Sequence, residues 1–137
     1  MPLLEIKTPE LTREAKEKAA ASLNREFIEA TGFEDERLII NFQTYKTGDL
    51  ASEGKFDDSG STKYVALLLY LPRIRFDVKR SLVSGLTNGI QESLGSDCKA
   101  EIYIFEFPYD NLGVEGQLLT DLDEELASRP FYFVLPR

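Results

Sequence analysis

The chain opens on a short apolar run, Leu3, Leu4 and Ile6, which reads as a strand. Thr8-Pro9-Glu10 then has the chemistry of a helix start, with Thr8 to cap, Pro9 at the first helical position and Glu10 at the positive end of the dipole. Leu11, Ala15, Ala19, Leu23 and Phe27 recur every four residues, with Glu14, Lys16, Glu17, Asn24 and Arg25 around the other side. This predicts an amphipathic helix to about Ala30, ended by Gly32. After the charged connection Glu34-Asp35-Glu36-Arg37, Leu38 to Tyr45 reads as a second strand.

From Lys46 to Lys63 the pattern gives way to Gly, Asp and Ser, the composition of a loop. A loop of that length in a compact domain is usually functional or mobile. The earlier order then returns: an apolar strand from Tyr64 to Leu71, a helix from Phe76 to Leu94 with Leu82, Val83, Leu86, Ile90 and Leu94 on one side, closure at Gly95, and a strand from Ala100 to Phe107. The offset of roughly sixty residues marks a duplicated β-α-β unit. Gly85 and Gly89 each cost the second helix about 1 kcal/mol relative to alanine, and the expectation is that its backbone lies close against the sheet. The fold class is therefore α+β, a four-stranded mixed sheet with two helices on one face. The whole chain, 1–137, is expected to be one domain, with halves at about 1–45 and 63–107 and an extension over 108–137.

Val65, Leu67, Leu69 and Leu71 alternate with Ala66, Leu68 and Tyr70, and Ile102 and Ile104 alternate with Tyr103, Phe105 and Phe107. Both faces of these strands are apolar, as in strands covered on both sides. Two long helices cover one face only, so the pattern predicts an oligomer whose sheets face one another. Past the turn-rich segment 108–116, Leu118, Leu119, Leu122 and Leu126 suggest a short helix stopped by Pro130. Phe131 to Leu135 reads as an apolar edge strand suited to pairing with a neighbouring subunit.

Composition narrows the function. A net charge of -8 without a basic stripe argues against nucleic acid and anionic membrane surfaces. The opening has no signal-peptide pattern and no long apolar run follows, so a cytoplasmic protein is expected. Cys98 is the single cysteine and histidine is absent, which removes an intrachain disulfide and thiolate-rich metal sites and argues against zinc, haem and the Ser-His-Asp triad. No metal and no cofactor is expected.

The remaining chemistry centres on Pro2. If Met1 is removed, Pro2 carries a free secondary amine, and an α-amino group titrates near ~7.7, close enough to neutrality to serve as base or acid. A strand starting at Leu3 would hold that amine in place. Proline stands second by chance in roughly one chain in twenty, so the position alone decides little. Arg73 and Arg75, at alternate positions before the second helix, form a carboxylate receptor by charge, bidentate geometry and nearby backbone donors. The plainer reading is two solvated arginines on a loop. Tyr103 and Glu115 are candidates for a hydroxyl donor and a carboxylate that activates water, against an ordinary core tyrosine and a surface glutamate. Asp35, Glu36 and Arg37 read first as a solvated charge run, and Cys98 as a packed small side chain.

Pro2 ahead of a strand, the doubled β-α-β unit and the chain length together resemble the tautomerase superfamily, whose members use an amino-terminal proline as catalytic base or acid. More locally, Ile40-Asn41-Phe42-Gln43, Arg73 with Arg75, and Tyr103 to Pro108 are similar to cis-3-chloroacrylic acid dehalogenase, and Pro72-Arg73-Ile74-Arg75 is similar to malonate semialdehyde decarboxylase. The resemblance covers most of residues 1 to 120. It implies a homotrimer and a small carboxylate substrate held by Arg73 and Arg75, with Pro2, Tyr103 and Glu115 as catalytic residues. It implies tautomerisation or hydration of a small 2-oxo or unsaturated acid, with decarboxylation of a 3-oxo acid as the alternative, or a non-catalytic trimer if Met1 stays. Three departures stand out. Phe27 occupies the place of the dehalogenase histidine, and the catalytic glutamate would fall at Val114, one place before Glu115. The acidic residue of the decarboxylase pattern is matched only loosely by Asp35 or Glu36.

Overall fold

The computed structural model describes residues 2–33 and 37–128. Strand β1 spans Leu3–Pro9, helix α1 Arg13–Thr31 and strand β2 Ile39–Tyr45. Two short strands, β3 (Ala51–Ser52) and β4 (Lys55–Phe56), interrupt the loop before strand β5 (Tyr64–Pro72), helix α2 (Phe76–Leu94) and strand β6 (Lys99–Phe107). The four long strands form a mixed sheet in the order β2-β1-β5-β6, with β1–β2 and β5–β6 parallel and the central pair β1–β5 antiparallel. Among the described residues no helix is long and apolar enough to cross a membrane.

Helix α1 begins later than the local signal at Thr8 suggests. Thr8 lies in β1, fully buried, because the ladder to β2 continues as far as the pair Pro9↔Tyr45. The cap is Thr12, in extended backbone, whose Oγ1 accepts from the N–H of Ala15 at 3.1 Å. Gly32 closes the helix in the left-handed region at φ 72°.

The core lies between the sheet and the two helices. Leu4 and Ile6 of β1, the row Val65, Leu67, Leu69 and Leu71 of β5, Leu23 and Phe27 of α1, and Leu82, Leu86 and Ile90 of α2 are all fully buried in one cluster. Val83 departs from its expected side and is 42% exposed. Gly85 and Gly89 face α1 rather than the sheet. A Cβ on Gly85 would come within 2.9 Å of Glu26 Oε2, and one on Gly89 within 3.4 Å of Leu23 Cδ2. The two helices approach along this line while leucine and isoleucine one position away reach the sheet.

Neither α1 nor α2 covers the second face of the sheet. Ile39, Leu3, Tyr70 and Phe105 form one cross-strand row, and Asn41, Glu5, Leu68 and Tyr103 form the next. Ile39, Tyr103 and Phe105 are roughly half exposed, at 54%, 47% and 45%. The Tyr70 and Phe105 rings stack at 4.9 Å and 16°. A broad aromatic and aliphatic surface is thus left facing outward.

Beyond β6 a 3-10 turn, Tyr109–Asn111, leads to a small hairpin of β7 (Gly113–Val114) and β8 (Gln117–Leu118). The helix expected over Leu118–Leu126 is split into α3 (Leu119–Leu122) and α4 (Glu124–Ser128). Asp123 causes the break. Its backbone is extended, and its carboxylate accepts from the N–H groups of Glu125 and Leu126 at 2.9 and 3.3 Å, which caps a new helix. The edge strand expected over Phe131–Leu135 lies outside the described residues.

The close approach of α1 and α2 yields a stability test. Gly89→Ala should leave the Tm near or slightly above that of the parent, since the helix gains propensity and the new Cβ meets ordinary contacts. Gly89→Leu should lower stability by about 1–3 kcal/mol, read by thermal unfolding, because the helices must separate.

Candidate active site

Pro2 is buried immediately ahead of β1, and its carbonyl accepts from the N–H of Ile39 at 3.2 Å. The parallel ladder therefore reaches back to Pro2 and fixes its backbone. Because β1 runs antiparallel to β5, the start of one strand lies beside the end of the other, with Leu3 opposite Tyr70. Strand β5 ends at Pro72, and Arg73, Ile74 and Arg75 follow directly. Pro2, Arg73 and Arg75 thus occupy one end of the sheet, although Pro2 and the arginines lie about seventy positions apart in the chain.

Residues 73–75 alternate. Arg73 is half-buried, Ile74 is 7% exposed and joins the core, and Arg75 is exposed. Arg75 stands at the N-cap of α2 in extended backbone, without a side-chain cap. Its Nε donates to Asp77 Oδ1 at 3.0 Å, in an ion pair with both side chains about half exposed. Such a pair contributes little to stability.

Sequence reasoning assigned no role to Glu106, which proves central to this end of the sheet. It follows Ile102 and Ile104 in the inward-facing row of β6, and a carboxylate in an apolar row is the signal that marks it. Its Oε2 accepts from the N–H of Ile74 at 2.8 Å and its Oε1 from Lys79 Nζ at 2.6 Å. Lys79 also lies 4.9 Å from the centre of the Phe76 ring.

Tyr103 and Glu115 stand on other elements. Tyr103 is on the second face of the sheet, where its hydroxyl donates to Glu101 Oε2 at 2.9 Å. Tyr64 donates to the same oxygen at 3.0 Å. Burial first, then the Tyr103 and Glu101 side chains, hold the Tyr64 phenol well above its ordinary range. Glu115 is exposed at the tip of the β7–β8 hairpin, where it and Gly116 have φ values of 48° and 86°. Two left-handed residues are what a tight hairpin of this twist requires. Asp35 and Glu36 lie outside the described residues. A cavity of about 130 Å³ lies at the opposite end of the sheet, between Pro9, Tyr45, Leu50 and Asp57.

No family model matches the chain. No curated protein matches it by sequence. Solved structures match it closely in shape. A fused 4-OT wild-type symmetric trimer superposes with a TM-score of 0.74 at 18% identity over 93% of this chain and 99% of its own. Pt0534 inactivated by 2-oxo-3-pentynoate does so with a TM-score of 0.75 at 16% identity over 88% and 98%. FG41 malonate semialdehyde decarboxylase inhibited by 3-bromopropiolate gives 0.71 at 16% identity over 93% and 99%. The chain has the tautomerase fold.

Within this tautomerase fold, Phe27 is a core residue: it is fully buried, with its ring 6.2 Å from that of Phe33 at 60°. Cys98 is 6% exposed and its thiol contacts the Leu94 carbonyl at 3.5 Å. Burial, and secondly the Asp97 carboxylate, push the Cys98 thiol above its ordinary value. A raised value leaves less thiolate at any neutral or mildly alkaline pH. Iodoacetamide should therefore alkylate Cys98 at least about tenfold more slowly in the folded protein than in urea, followed by mass spectrometry.

Proposed function

We propose that this protein is an enzyme of the tautomerase type, in which Pro2, as the amino terminus after removal of Met1, is the general base and acid. Its substrate would be a small 2-oxo or unsaturated carboxylic acid. The observation that carries this reading is the placement of a buried Pro2 at the sheet end where Arg73 and Arg75 leave β5. The likeness to two structures treated with the small unsaturated carboxylates 2-oxo-3-pentynoate and 3-bromopropiolate supports it.

The chemistry follows from the charges. Arg73 and Arg75 hold the substrate carboxylate and draw electron density toward it, which acidifies the C3 protons of a 2-oxo acid. The same positive charge disfavours the ammonium form of Pro2 and keeps the amine competent as a base. Neutral Pro2 removes the proton from one position and returns it to another, which is tautomerisation. Hydration of an unsaturated acid needs in addition a base for water, the role given to Glu115 or Tyr103.

A second reading, decarboxylation of a 3-oxo acid, is favoured by one observation. The Tyr103 hydroxyl is engaged with Glu101, and Glu115 sits at an exposed hairpin tip. Decarboxylation needs neither. A protonated Pro2 polarises the carbonyl while the arginines orient the departing carboxylate.

The second face of the sheet, with Ile39, Tyr70, Tyr103 and Phe105, supports assembly into a homotrimer, in which six β-α-β units would bury three bare sheet faces together. A fused 4-OT of the same fold is a symmetric trimer.

Intact mass should lack one methionine, and Pro2→Ala should lower phenylenolpyruvate tautomerisation by about 10²–10⁴-fold. Full activity with Met1 in place would overturn the role of Pro2. Arg73→Ala and Arg75→Ala should impair all three reactions, whereas Glu115→Gln should abolish hydration of an acetylenic acid and spare tautomerisation. Light scattering at micromolar concentration should give three chains per particle, and truncation after Pro130 should shift the particle toward smaller species.

A further inference from the structure

We propose that Glu106 is the positioning residue for the carboxylate receptor: it fixes the Arg73-Ile74-Arg75 segment through the Ile74 amide and so sets where both guanidiniums point. This rests on the reading of Arg73 and Arg75 as substrate-binding residues. Ile74 is tied twice. Its side chain is packed in the core at 7% exposure, and its N–H donates to Glu106 Oε2 at 2.8 Å. Arg73 and Arg75 flank this anchored residue, half-buried and exposed, so fixing Ile74 fixes the backbone from which both guanidiniums extend.

The anchor is itself braced. Glu106 is paired through β6 with Leu71 of β5, one of the fully buried strand positions. Its other oxygen holds Lys79 Nζ at 2.6 Å, with only 19% and 23% of the two side chains exposed. The Lys79 backbone N–H in turn donates to the Arg75 carbonyl at 3.0 Å, the first hydrogen bond of α2. The carboxylate thus ties the end of β6, the connection after β5 and the first turn of α2 into one unit. Both oxygens accept from donors of the surrounding scaffold, as a positioning role requires. Glutamine keeps an acceptor for the Ile74 N–H while giving up the bond to Lys79, so it preserves the tie to Ile74 alone, whereas a shorter side chain loses that tie. A half-buried charge held by a backbone N–H is also among the stronger hydrogen bonds available to a loop.

The test compares Glu106→Gln, Glu106→Asp and Glu106→Ala with the parent. Glu106→Ala and Glu106→Asp should raise the KM for phenylenolpyruvate about tenfold or more with kcat changed far less, and Glu106→Gln should restore KM to within about threefold. Added to Arg73→Ala, the Glu106→Ala change should have less than its full effect, since only Arg75 is then left to be misplaced. Simple destabilisation would instead lower Tm and the active fraction while leaving KM unmoved. An unchanged KM in both Glu106→Ala and Glu106→Asp, or full additivity with Arg73→Ala, overturns the proposal. Hydrogen exchange of the Ile74 amide by NMR is independent of catalysis. It should be slow in the parent and Glu106→Gln and fast in Glu106→Asp, and equal protection in all three overturns the positioning role. If the parent turns over no carboxylate substrate while the Ile74 amide behaves as stated, the functional reading fails and the anchor stands.

Discussion

The structure depends on one constraint: β5 is apolar on both faces, and α1 and α2 cover only one of them. Val65, Leu67, Leu69 and Leu71 are fully buried beneath α1 and α2. At about 1.5–3 kcal/mol for each buried aliphatic side chain, this row is among the largest favourable contributions in the fold, and it holds β5 at the centre of the sheet. The alternate row, Ala66, Leu68 and Tyr70, then has to face the other way, since successive side chains of a strand point to opposite faces. The outward surface with Tyr103 and Phe105 is the direct consequence. It is continuous across the strands, which distinguishes it from scattered surface hydrophobics.

Placing β5 centrally also creates the candidate site. Its partner β1 runs antiparallel to it, so the chain's first residues meet the connection that leaves β5. A parallel pairing would have put Pro2 and Arg73 at opposite ends. The connection carries the arginines, yet it is a short loop held by the scaffold at Ile74 rather than a free one. Side chains that leave a loop this tightly anchored start from a fixed backbone. The remaining loops carry their own local order. Asp57, for example, accepts from the Ser59 hydroxyl at 2.7 Å and the Thr62 N–H at 3.0 Å, and these bonds hold its carboxyl below the usual carboxylate range.

Where sequence reading and structure differ, the cause is competition between a local signal and a long-range one. Thr8 and Thr12 are both competent caps, and the ladder of β1 with β2 decides for Thr12 by keeping Thr8 in the strand. Gly85 and Gly89 announce a close approach but not its partner, which is α1. The leucines at 118–126 have helical spacing, but Asp123 finds two backbone donors and breaks the run. Glu106 was visible only as a charged residue in an apolar row. Its meaning required knowing that the amide of Ile74, thirty-two positions earlier, lies within reach.

The sequence by itself determined the long elements and their sidedness, including the span Phe76–Leu94 of α2, the doubled β-α-β order and the two apolar faces of the sheet. These follow from side-chain periodicity and from Gly95 and Gly32, which act within a few residues of where they stand. Only the tertiary structure decided the order β2-β1-β5-β6, the antiparallel centre, and hence which ends of which strands meet. It also decided that Tyr103 turns to Glu101 while Glu106 turns to Ile74 and Lys79. Hydrogen bonds between residues far apart in the chain leave no mark on local periodicity, because either partner alone is merely a polar residue, and it is the packing of the core that brings the two within 3 Å.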